Sequence, residues 1–395
     1  MTLITTTQGN VADKLPVSAL LALAVAGFIT ILTEALPAGM LAAIADSLRV
    51  TPALAGQLVT VYAVGSLLAA IPLTLATQTL RRRPLLLSAI AGFAVANTVT
   101  ALSEYYLLTL AARFVAGVSA GLLWALLAGY AARMVNEAMK GRAIALAMVG
   151  TPLALAVGIP LGTWMGEVIG WRSCFLTISA LTLVLTGWIL HSVPDFSGQP
   201  AQRRQRLIPV LKLPGVRPIL LVTLIFVLAH NILYTYIFPF LERANMAGSI
   251  SGILLTFGLT SLLGIGIVGA RVDRWLRGLS LLATALFALS AVLMTSALPW
   301  VIYTATGLWG LAFGGAATLF QTALAKSAGD AADIAQSMLV TAWNLAIAGG
   351  GLAGAAILHS FGAGYFPPVI LSLLLLTALI VMRAKQHGFP PADSD

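Results

Sequence analysis

The chain has 395 residues, of which 59% are hydrophobic and only 9% charged, and its formal net charge is +9 at pH 7. A soluble domain carries roughly 25% charged residues, so this composition excludes a water-facing surface and favours a lipid-facing one. The basic residues stand in short clusters without an aromatic-rich basic face, which argues against nucleic-acid binding. A single cysteine, Cys174, excludes an internal disulfide and a cysteine-only metal site.

The apolar runs predict an all-α membrane protein of twelve spans, because a transmembrane helix needs about 20 mainly apolar residues. The predicted spans are 17–41, 53–77, 85–103, 105–130, 143–167, 173–191, 219–241, 249–270, 279–297, 300–325, 335–358 and 366–383. The longest connection is polar, basic and interrupted by prolines. It divides the chain into a six-helix half (1–191), a linker (192–218) and a second six-helix half (219–395).

The distribution of Lys and Arg predicts the orientation of these spans. With the N-terminus in the cytoplasm, 18 of the 22 Lys and Arg residues fall in cytoplasmic segments, three in outside loops and one, Arg113, within a span. Cytoplasmic loops of membrane proteins carry such an excess. We therefore expect a multi-pass protein of a bacterial cytoplasmic membrane with both termini and the linker in the cytoplasm.

The two halves repeat one feature. Each has a basic turn between its second and third spans, at Arg81–Arg83 in the first half and from Arg271 to Arg277 in the second. Two six-span halves of parallel topology are the repeat arrangement of a large class of transporters.

Two glycine motifs resemble enzyme signatures. Gly117–Gly121 fits G-x-S-x-G, but that elbow requires a strand-to-helix turn, whereas this stretch lies in an apolar helix. Gly264–Gly269 fits G-x-G-x-x-G without the preceding strand or the following acid that a dinucleotide site needs. The four histidines lack metal-ligand spacing. The sequence therefore predicts neither an enzyme nor a metal or cofactor site.

Several stretches of the spans match motifs of a known family. They are Thr33–Leu41, Arg113–Gly121, Gly158–Gly162 with Pro160, Gly170–Arg172, His230–Phe240, Gly269–Arg274 and the Asn344, Gly349, Gly354 set. In these stretches the chain resembles the major facilitator superfamily, its twelve-span drug/proton antiporter family and the bacterial sugar-efflux (arabinose-efflux-type) branch. The loop after the second span, Thr77–Pro84, departs from the family pattern because it lacks the usual glycine and aspartate.

The resemblance implies two six-helix bundles around a central cavity and alternating access by rocking of one half against the other. It also implies conformational roles for Gly158, Pro160 and Gly162, and a gating ion-pair cluster of Asp273 with Arg274 and nearby arginines. For Asp273 the alternative is a solvated acid among topology-setting charges, since exposed ion pairs contribute little.

Glu34 is the only acid well inside a span, and Arg113 is the only Lys or Arg there. At 1.5 Å per residue both lie about 10–12 Å from the outer side, so they can interact. An ionisable residue at such depth indicates function by default. We interpret Glu34 as a proton-binding acid whose charge is influenced by Arg113. The alternatives are a fixed structural ion pair, or an acid beside a wet outer vestibule.

Polar residues within other spans are candidates for a substrate-binding cavity. They are His230, Asn231, Tyr234, Tyr236, Asn97 and Asn344, and the tryptophans Trp124, Trp309 and Trp343 are weaker candidates. For the polar residues the alternative is hydrogen bonding between helices, which is common inside membranes. For the tryptophans it is packing or contact with lipid.

Gly158, Gly162, Gly166 and Gly170 recur every four residues and form one smooth stripe suited to close helix packing. The stripe has two interpretations, a sliding seam between the halves or simple close packing.

Together these features predict a secondary transporter, and we expect proton-coupled efflux of small molecules such as sugars or drugs. The alternatives are uptake or facilitated transport on the same fold, or a membrane sensor or scaffold that does not transport. The expected partners are a small-molecule substrate, protons and the lipid bilayer. We expect a monomer without cofactor or nucleic acid.

Overall fold

The computed structural model describes residues 15–200 and 206–390, so both chain ends and the middle of the predicted linker lie outside it. The described residues are mostly helical and contain no β-strand. Ten of their helical stretches are long and apolar enough to cross a membrane.

Two of these stretches account for two crossings each. The 44-residue stretch Ile250–Leu293 would be about 66 Å long as one helix, against a hydrocarbon core of ~30 Å, and it bends at Trp275, whose φ of −123° and ψ of 30° are not helical. The stretch Pro299–Phe361 is divided by a short 3₁₀ turn at Gly329–Ala331.

With these two stretches divided, the described residues contain twelve helices that correspond to the twelve predicted spans. In chain order they are α1 Val17–Gly39, α2 Pro52–Ala76, α3 Arg82–Leu102, α4 Tyr106–Arg133, α5 Glu137–Ile169, α6 Trp171–Ser192, α7 Val216–Thr235, α8 and α9 on either side of the bend within Ile250–Leu293, α10 with its segments Pro299–Gly314 and Ala316–Ala328, α11 Ala332–Phe361, and α12 Phe366–Arg383.

Buried apolar side chains form two clusters that follow the order of the chain. One cluster is built from α1–α6 and is joined by Ile265 and Ala325, and the other is built from α7–α12. The fifth helix of each bundle ends in the same way, at Gly170 (φ 84°, ψ 148°) and at Gly362 (φ 83°, ψ 166°). Only glycine adopts this backbone conformation readily, so both bundles use glycine to turn toward their sixth helix. That helix begins at once at Trp171 in the first bundle and after the short 3₁₀ turn Ala363–Tyr365 in the second.

The two bundles meet along two seams. α5 packs against α8, and α11 packs against α2 and α4. The α2–α3, α4–α5, α8–α9 and α10–α11 connections, with the helix ends beside them, carry ten of the 22 arginines and lysines. They lie at one end of the bundle; we call it the basic end and the other the opposite end.

Candidate functional site

A cavity of about 150 Å³ lies between the two bundles. α1, α2, α4 and α5 line it from the first bundle, and α10 and α11 line it from the second. Its polar lining side chains are Glu34, Ser66, Thr151, Gln321 and Asn344. Trp124 and Trp343 line it from opposite bundles. The cavity therefore combines one acid, several neutral hydrogen-bonding groups and two large aromatic faces.

Three of the lining helices are irregular beside the cavity. α1 contains Pro37, three residues after Glu34. α5 has a π-helical turn at Ala154–Gly158, just beyond Thr151, and α10 is interrupted at Gly315, two residues before Ala317. The π turn precedes Pro160, whose ring and missing N–H do not fit a regular helix. Irregular membrane helices concentrate where backbone lines a binding site.

Arg113 and Glu34 meet, but through the backbone. Arg113 Nη2 donates to the main-chain oxygen of Glu34 (3.4 Å), and Arg113 Nε donates to the main-chain oxygen of Leu58 (3.3 Å). The guanidinium also lies over the ring of Tyr62, 4.8 Å from its centroid. Among the described residues, no cation lies within 4.0 Å of the Glu34 carboxylate. A fixed ion pair, one of the interpretations from sequence, is therefore absent from this conformation.

The turn of α1 beside Glu34 is also held by Asn97. Its Nδ2 donates to Thr33 Oγ1 (2.9 Å), and Tyr62 donates to the main-chain oxygen of Thr30 (3.2 Å). Asn97 is fully buried inside the first bundle and does not line the cavity. Its contact therefore fixes α1 against α3, so that Glu34 faces the cavity from a braced helix.

His230 lies in an aromatic cluster behind the cavity wall. Trp309 Nε1 donates to His230 Nδ1 (3.1 Å), and the imidazole stacks on Phe313 with ring centroids 3.5 Å apart. Phe313 in turn contacts Trp343 of the cavity lining. Because Nδ1 accepts this hydrogen bond, the imidazole is neutral, with its proton on Nε2.

Of the six polar residues predicted to form the cavity, only Asn344 belongs to its lining in this structure. Asn231 donates to the main-chain oxygen of Val227 (2.9 Å), and its backbone and Cβ pack closely on Gly350. Tyr236 donates to the main-chain oxygen of Gly351 (2.8 Å), and Tyr234 joins the His230 cluster. Tyr236 thus makes the hydrogen bond between helices that the alternative interpretation predicts, whereas the Asn231 amide bonds within α7 and the residue only packs against α11.

The glycine stripe of α5 packs inside the first bundle. A Cβ added at Gly158 would meet Phe28 and Leu32, one at Gly162 would meet Leu36, and one at Gly166 would meet Met40. All four contacted residues lie on or just after α1. The stripe therefore does not face the other half, and close packing explains its spacing. The seam lies on another face of α5, where Ala145 faces Gly269 and Ala156 faces Gly258 of α8.

Asp273 also has partners different from those expected. Its carboxylate accepts hydrogen bonds from the backbone N–H groups of Gly141 (2.5 Å) and Arg142 (3.1 Å), at the beginning of α5 in the other bundle. The Arg142 side chain is more distant, at 3.9 Å. Arg274 is exposed and forms no ion pair with a described acid. Asp273 thus joins the two halves through a helix N-terminus, where a negative charge is favoured.

An acid that the sequence analysis missed joins the halves at the basic end. Asp333, at the beginning of α11, pairs through Oδ2 with Arg82 Nη2 (2.7 Å) and with Arg133 Nη2 (2.9 Å) of the first bundle. Arg82 and Asp333 are both buried. The position of Asp333 in a connection between two predicted spans, at the end rich in Lys and Arg, was the feature of the sequence that could have indicated this ion pair.

The aspartate missing from the Thr77–Pro84 loop has a substitute in the linker. Asp195 pairs with Arg81 (2.7 Å) and accepts a hydrogen bond from the backbone N–H of Arg83 (3.0 Å). Gln199 extends the contact across the halves, since its backbone N–H donates to Gln78 and its side chain to the main-chain oxygen of Asp330. The linker thus takes part in closing the basic end.

The sequence profile of the Major Facilitator Superfamily matches residues 23–351. The chain belongs to this superfamily. Membership confirms the predicted fold, with two six-helix bundles around a central cavity, and together with the efflux pumps among its relatives it makes the chain a secondary transporter and not an enzyme.

Similar proteins span nearly the whole chain. It is 29% identical over 381 residues to the transcription regulatory protein OpdE of Pseudomonas aeruginosa, covering 94% of each chain. It is 29% identical to the purine ribonucleoside efflux pump NepI of Escherichia coli, covering 89% of this chain and 90% of the pump. It is 30% identical to a chloramphenicol efflux pump of Mycobacterium tuberculosis, covering 93% of this chain and 92% of that one.

A solved structure supports the fold independently. The proton:xylose symporter XylE, bound to 6-bromo-6-deoxy-D-glucose, matches with a TM-score of 0.76 at 14% identity, covering 93% of this chain and 95% of the symporter. At this identity the likeness concerns the fold alone.

Proposed function

We propose that this transporter exports small molecules across a bacterial cytoplasmic membrane in exchange for protons. The observation that carries the proposal is the position of Glu34. It is the one acid of the cavity lining, and its carboxylate has no cation within ion-pair distance among the described residues. Such a carboxyl can exchange a proton with the cavity without first breaking an ion pair.

In the proposed orientation the basic end faces the cytoplasm, because Lys and Arg are concentrated there. The contacts of Asp333 and Asp273 then close the cytoplasmic side in this conformation. A proton that reaches Glu34 from outside replaces the outgoing substrate, and rocking of the halves returns the proton to the cytoplasm. Arg113 braces α1 in this cycle, and its positive charge lies near the acid that titrates.

The efflux direction is supported by relatives, since a purine ribonucleoside pump and a chloramphenicol pump cover about nine-tenths of the chain. A regulator of transcription is also similar, and its name favours the rival role of a sensor without transport. Uptake on the same fold is the other rival. Efflux, uptake and sensing without transport each predict a different response of solute flux to a proton gradient.

The test uses inside-out membrane vesicles with an acidic lumen and the labelled probes chloramphenicol, inosine and arabinose. We expect the wild type to accumulate at least one probe in the lumen. This accumulation should disappear when a protonophore collapses the proton gradient. Glu34→Gln mimics the protonated carboxyl, so it should equilibrate the probe without responding to the gradient. Glu104→Gln, an exposed acid outside the spans, is the matched control and should behave like the wild type.

Each rival predicts another result. Accumulation only in right-side-out vesicles with acid outside would identify proton-coupled uptake. The absence of flux for every probe, with correctly inserted protein, would favour the sensor. An equal response of the wild type and Glu34→Gln would show that Glu34 is structural.

A further inference from the structure

The segment that follows α12 folds back onto the basic end of the second bundle. α12 ends at Arg383, and residues 384–389, which we call the clamp segment, form consecutive turns. The backbone N–H of Phe389 donates to the main-chain oxygen of Ala384 (3.1 Å). Residues 385–387 are exposed, whereas the Phe389 side chain is fully buried. A large apolar side chain that is buried directly after exposed polar residues occupies a specific docking site.

Arg277 binds the clamp segment from the start of α9. Its Nη1 donates to the main-chain oxygen of Phe389 (3.2 Å), and its Nη2 donates to that of Met382 in α12 (3.0 Å). The Phe389 side chain joins the apolar cluster of the second bundle. Hydrogen bonds from a charged donor are stronger than neutral ones. One guanidinium therefore ties the clamp segment and the end of α12 to the start of α9.

Two glycines bring the clamp segment against α7 and α10. Gly215 precedes α7, and a Cβ built on it would lie 2.6 Å from the backbone nitrogen of Gly388 and 2.9 Å from Oγ of Ser327, in the last turn of α10. A Cβ on Gly388 would lie 3.4 Å from Cγ1 of Ile219 in α7. Both glycines have positive φ, 90° at Gly215 and 99° at Gly388, which other residues adopt at a cost. The backbone shape and the close approach thus both favour glycine at this contact.

The helix ends that the clamp segment joins lead to the two acids that close the basic end. Asp273 lies four residues before Arg277, across the α8–α9 bend. Asp333 lies six residues after Ser327, across the α10–α11 turn. Lys326, beside Ser327, donates to the main-chain oxygen of Asp273 (3.3 Å). The relative position of the two acids therefore depends on whether the ends of α9 and α10 stay together.

We propose that the clamp segment, docked through Phe389, keeps the basic end of the second bundle in the shape that fits the first bundle. Asp273 and Asp333 then reach their partners together, since a second contact on one rigid body forms easily once the first has formed. When Phe389 is not docked, the ends of α9 and α10 separate more easily and the basic end closes less often. The clamp segment acts within the second bundle, so its role does not depend on the proton exchange proposed for Glu34.

The test measures opening of the basic end in the purified full chain in detergent, where both ends are accessible. The reporter is Ala145→Cys in a Cys174→Ala background, because Ala145 of α5 is buried and faces Gly269 of the other bundle. Phe389→Ala should raise the rate at which this cysteine reacts with a fluorescent maleimide by about 5-fold or more, the lower end of the coupling typical between two sites. His387→Ala changes an exposed neighbour of Phe389, so it is the matched control and should leave the rate unchanged.

A second reporter separates opening of the basic end from general unfolding. Ala89→Cys lies in α3, is buried in the apolar cluster of the first bundle, and belongs to a helix that packs within its own bundle. Its labelling should stay as slow in Phe389→Ala as in the parent. Phe389→Leu should retain much of the closure, because leucine fills part of the same site.

Arg277→Gln tests the same contact from the other side, and it decides alone if Phe389→Ala does not fold. It should also speed the labelling of Ala145→Cys, and the double variant should label no faster than Phe389→Ala, because both changes release one contact. An unchanged rate at Ala145→Cys, a parallel rise at Ala89→Cys, or additive effects in the double variant would each overturn the proposal. The result is independent of the vesicle experiment with Glu34→Gln, so the two proposals can fail separately.

Discussion

Asp333 is the residue whose charge links the two halves at the basic end. It is buried between Arg82 and Arg133, which belong to the other bundle. Removing one partner of a buried ion pair is costly because the remaining charges stay in a low-dielectric site, and the typical cost is about 3–5 kcal/mol. When the basic end opens these arginines can reach water, so the cost applies mainly to the closed conformation.

We therefore predict that Asp333→Asn shifts the protein toward conformations open at the basic end. The reporter is Ala325→Cys, a buried position of α10 that packs into the cluster of the first bundle, in a Cys174→Ala background. An impermeant maleimide added to inside-out vesicles should label this cysteine faster, by about 10-fold or more, when Asp333 is replaced by Asn.

Asp330→Asn is the matched control for this experiment. Asp330 precedes α11 and contacts Gln199 through its main-chain oxygen, so its side chain is not needed for closure. Its labelling rate should equal that of the parent. Equal rates in the two aspartate variants would show that the Asp333 contacts do not hold the basic end closed.

At the scale of elements, α5 uses two faces for different purposes. Its glycine stripe lies against α1 in the same bundle, whereas Ala145 and Ala156 face Gly269 and Gly258 of α8 in the other bundle. The two alanines are 11 residues apart on α5, and the two glycines are 11 residues apart on α8. Small residues thus keep the α5–α8 contact smooth over about 16 Å, which suits helices that slide.

We predict that Gly269→Leu impairs transport without preventing insertion. A Cβ at this position would lie 2.8 Å from the Cβ of Ala145, so a larger side chain must separate the two helices near the basic end. Overpacking of this kind costs about 1–3 kcal/mol, enough to slow a cycle that passes through the closed state about 10-fold. The measurement is the initial rate of probe flux per inserted protein in inside-out vesicles.

Gly266→Leu is the control on the same helix, because nothing lies within 4 Å of a Cβ built there. It should transport at the wild-type rate. A normal rate for Gly269→Leu would mean that the closed α5–α8 contact is not needed for the cycle.

At the scale of the whole molecule, the orientation in the membrane follows from charge. Lys and Arg resist transfer across the membrane during insertion, so the basic end stays on the cytoplasmic side. We predict that Gln202→Cys in a Cys174→Ala background reacts with an impermeant maleimide in inside-out vesicles and not in intact cells. Glu104→Cys, on the opposite side, should show the reverse pattern, and labelling of Gln202→Cys in intact cells would contradict the proposed topology.

The sequence by itself determined the membrane class, the twelve spans and their two-bundle fold. The class and the spans depend on local hydrophobicity, whose effect extends over one helix at a time, whereas the two-bundle fold was implied by the resemblance to a known family. It also identified Glu34 and Asn344, which line the cavity, and Arg113, which braces α1 beside Glu34. Isolated polar residues in apolar helices are conspicuous because their burial is costly.

Only the tertiary structure decided which faces of the helices meet. It placed His230, Asn231, Tyr236 and Asn97 in helix contacts outside the cavity lining, and it placed Gln321 within that lining. A span does not specify its rotation about its own axis, because a helix that is apolar all round has no distinct inner face. The sequence also did not indicate that Asp195 of the linker takes the place of the aspartate that the loop lacks. Any segment that folds close enough to form the ion pair can supply the charge.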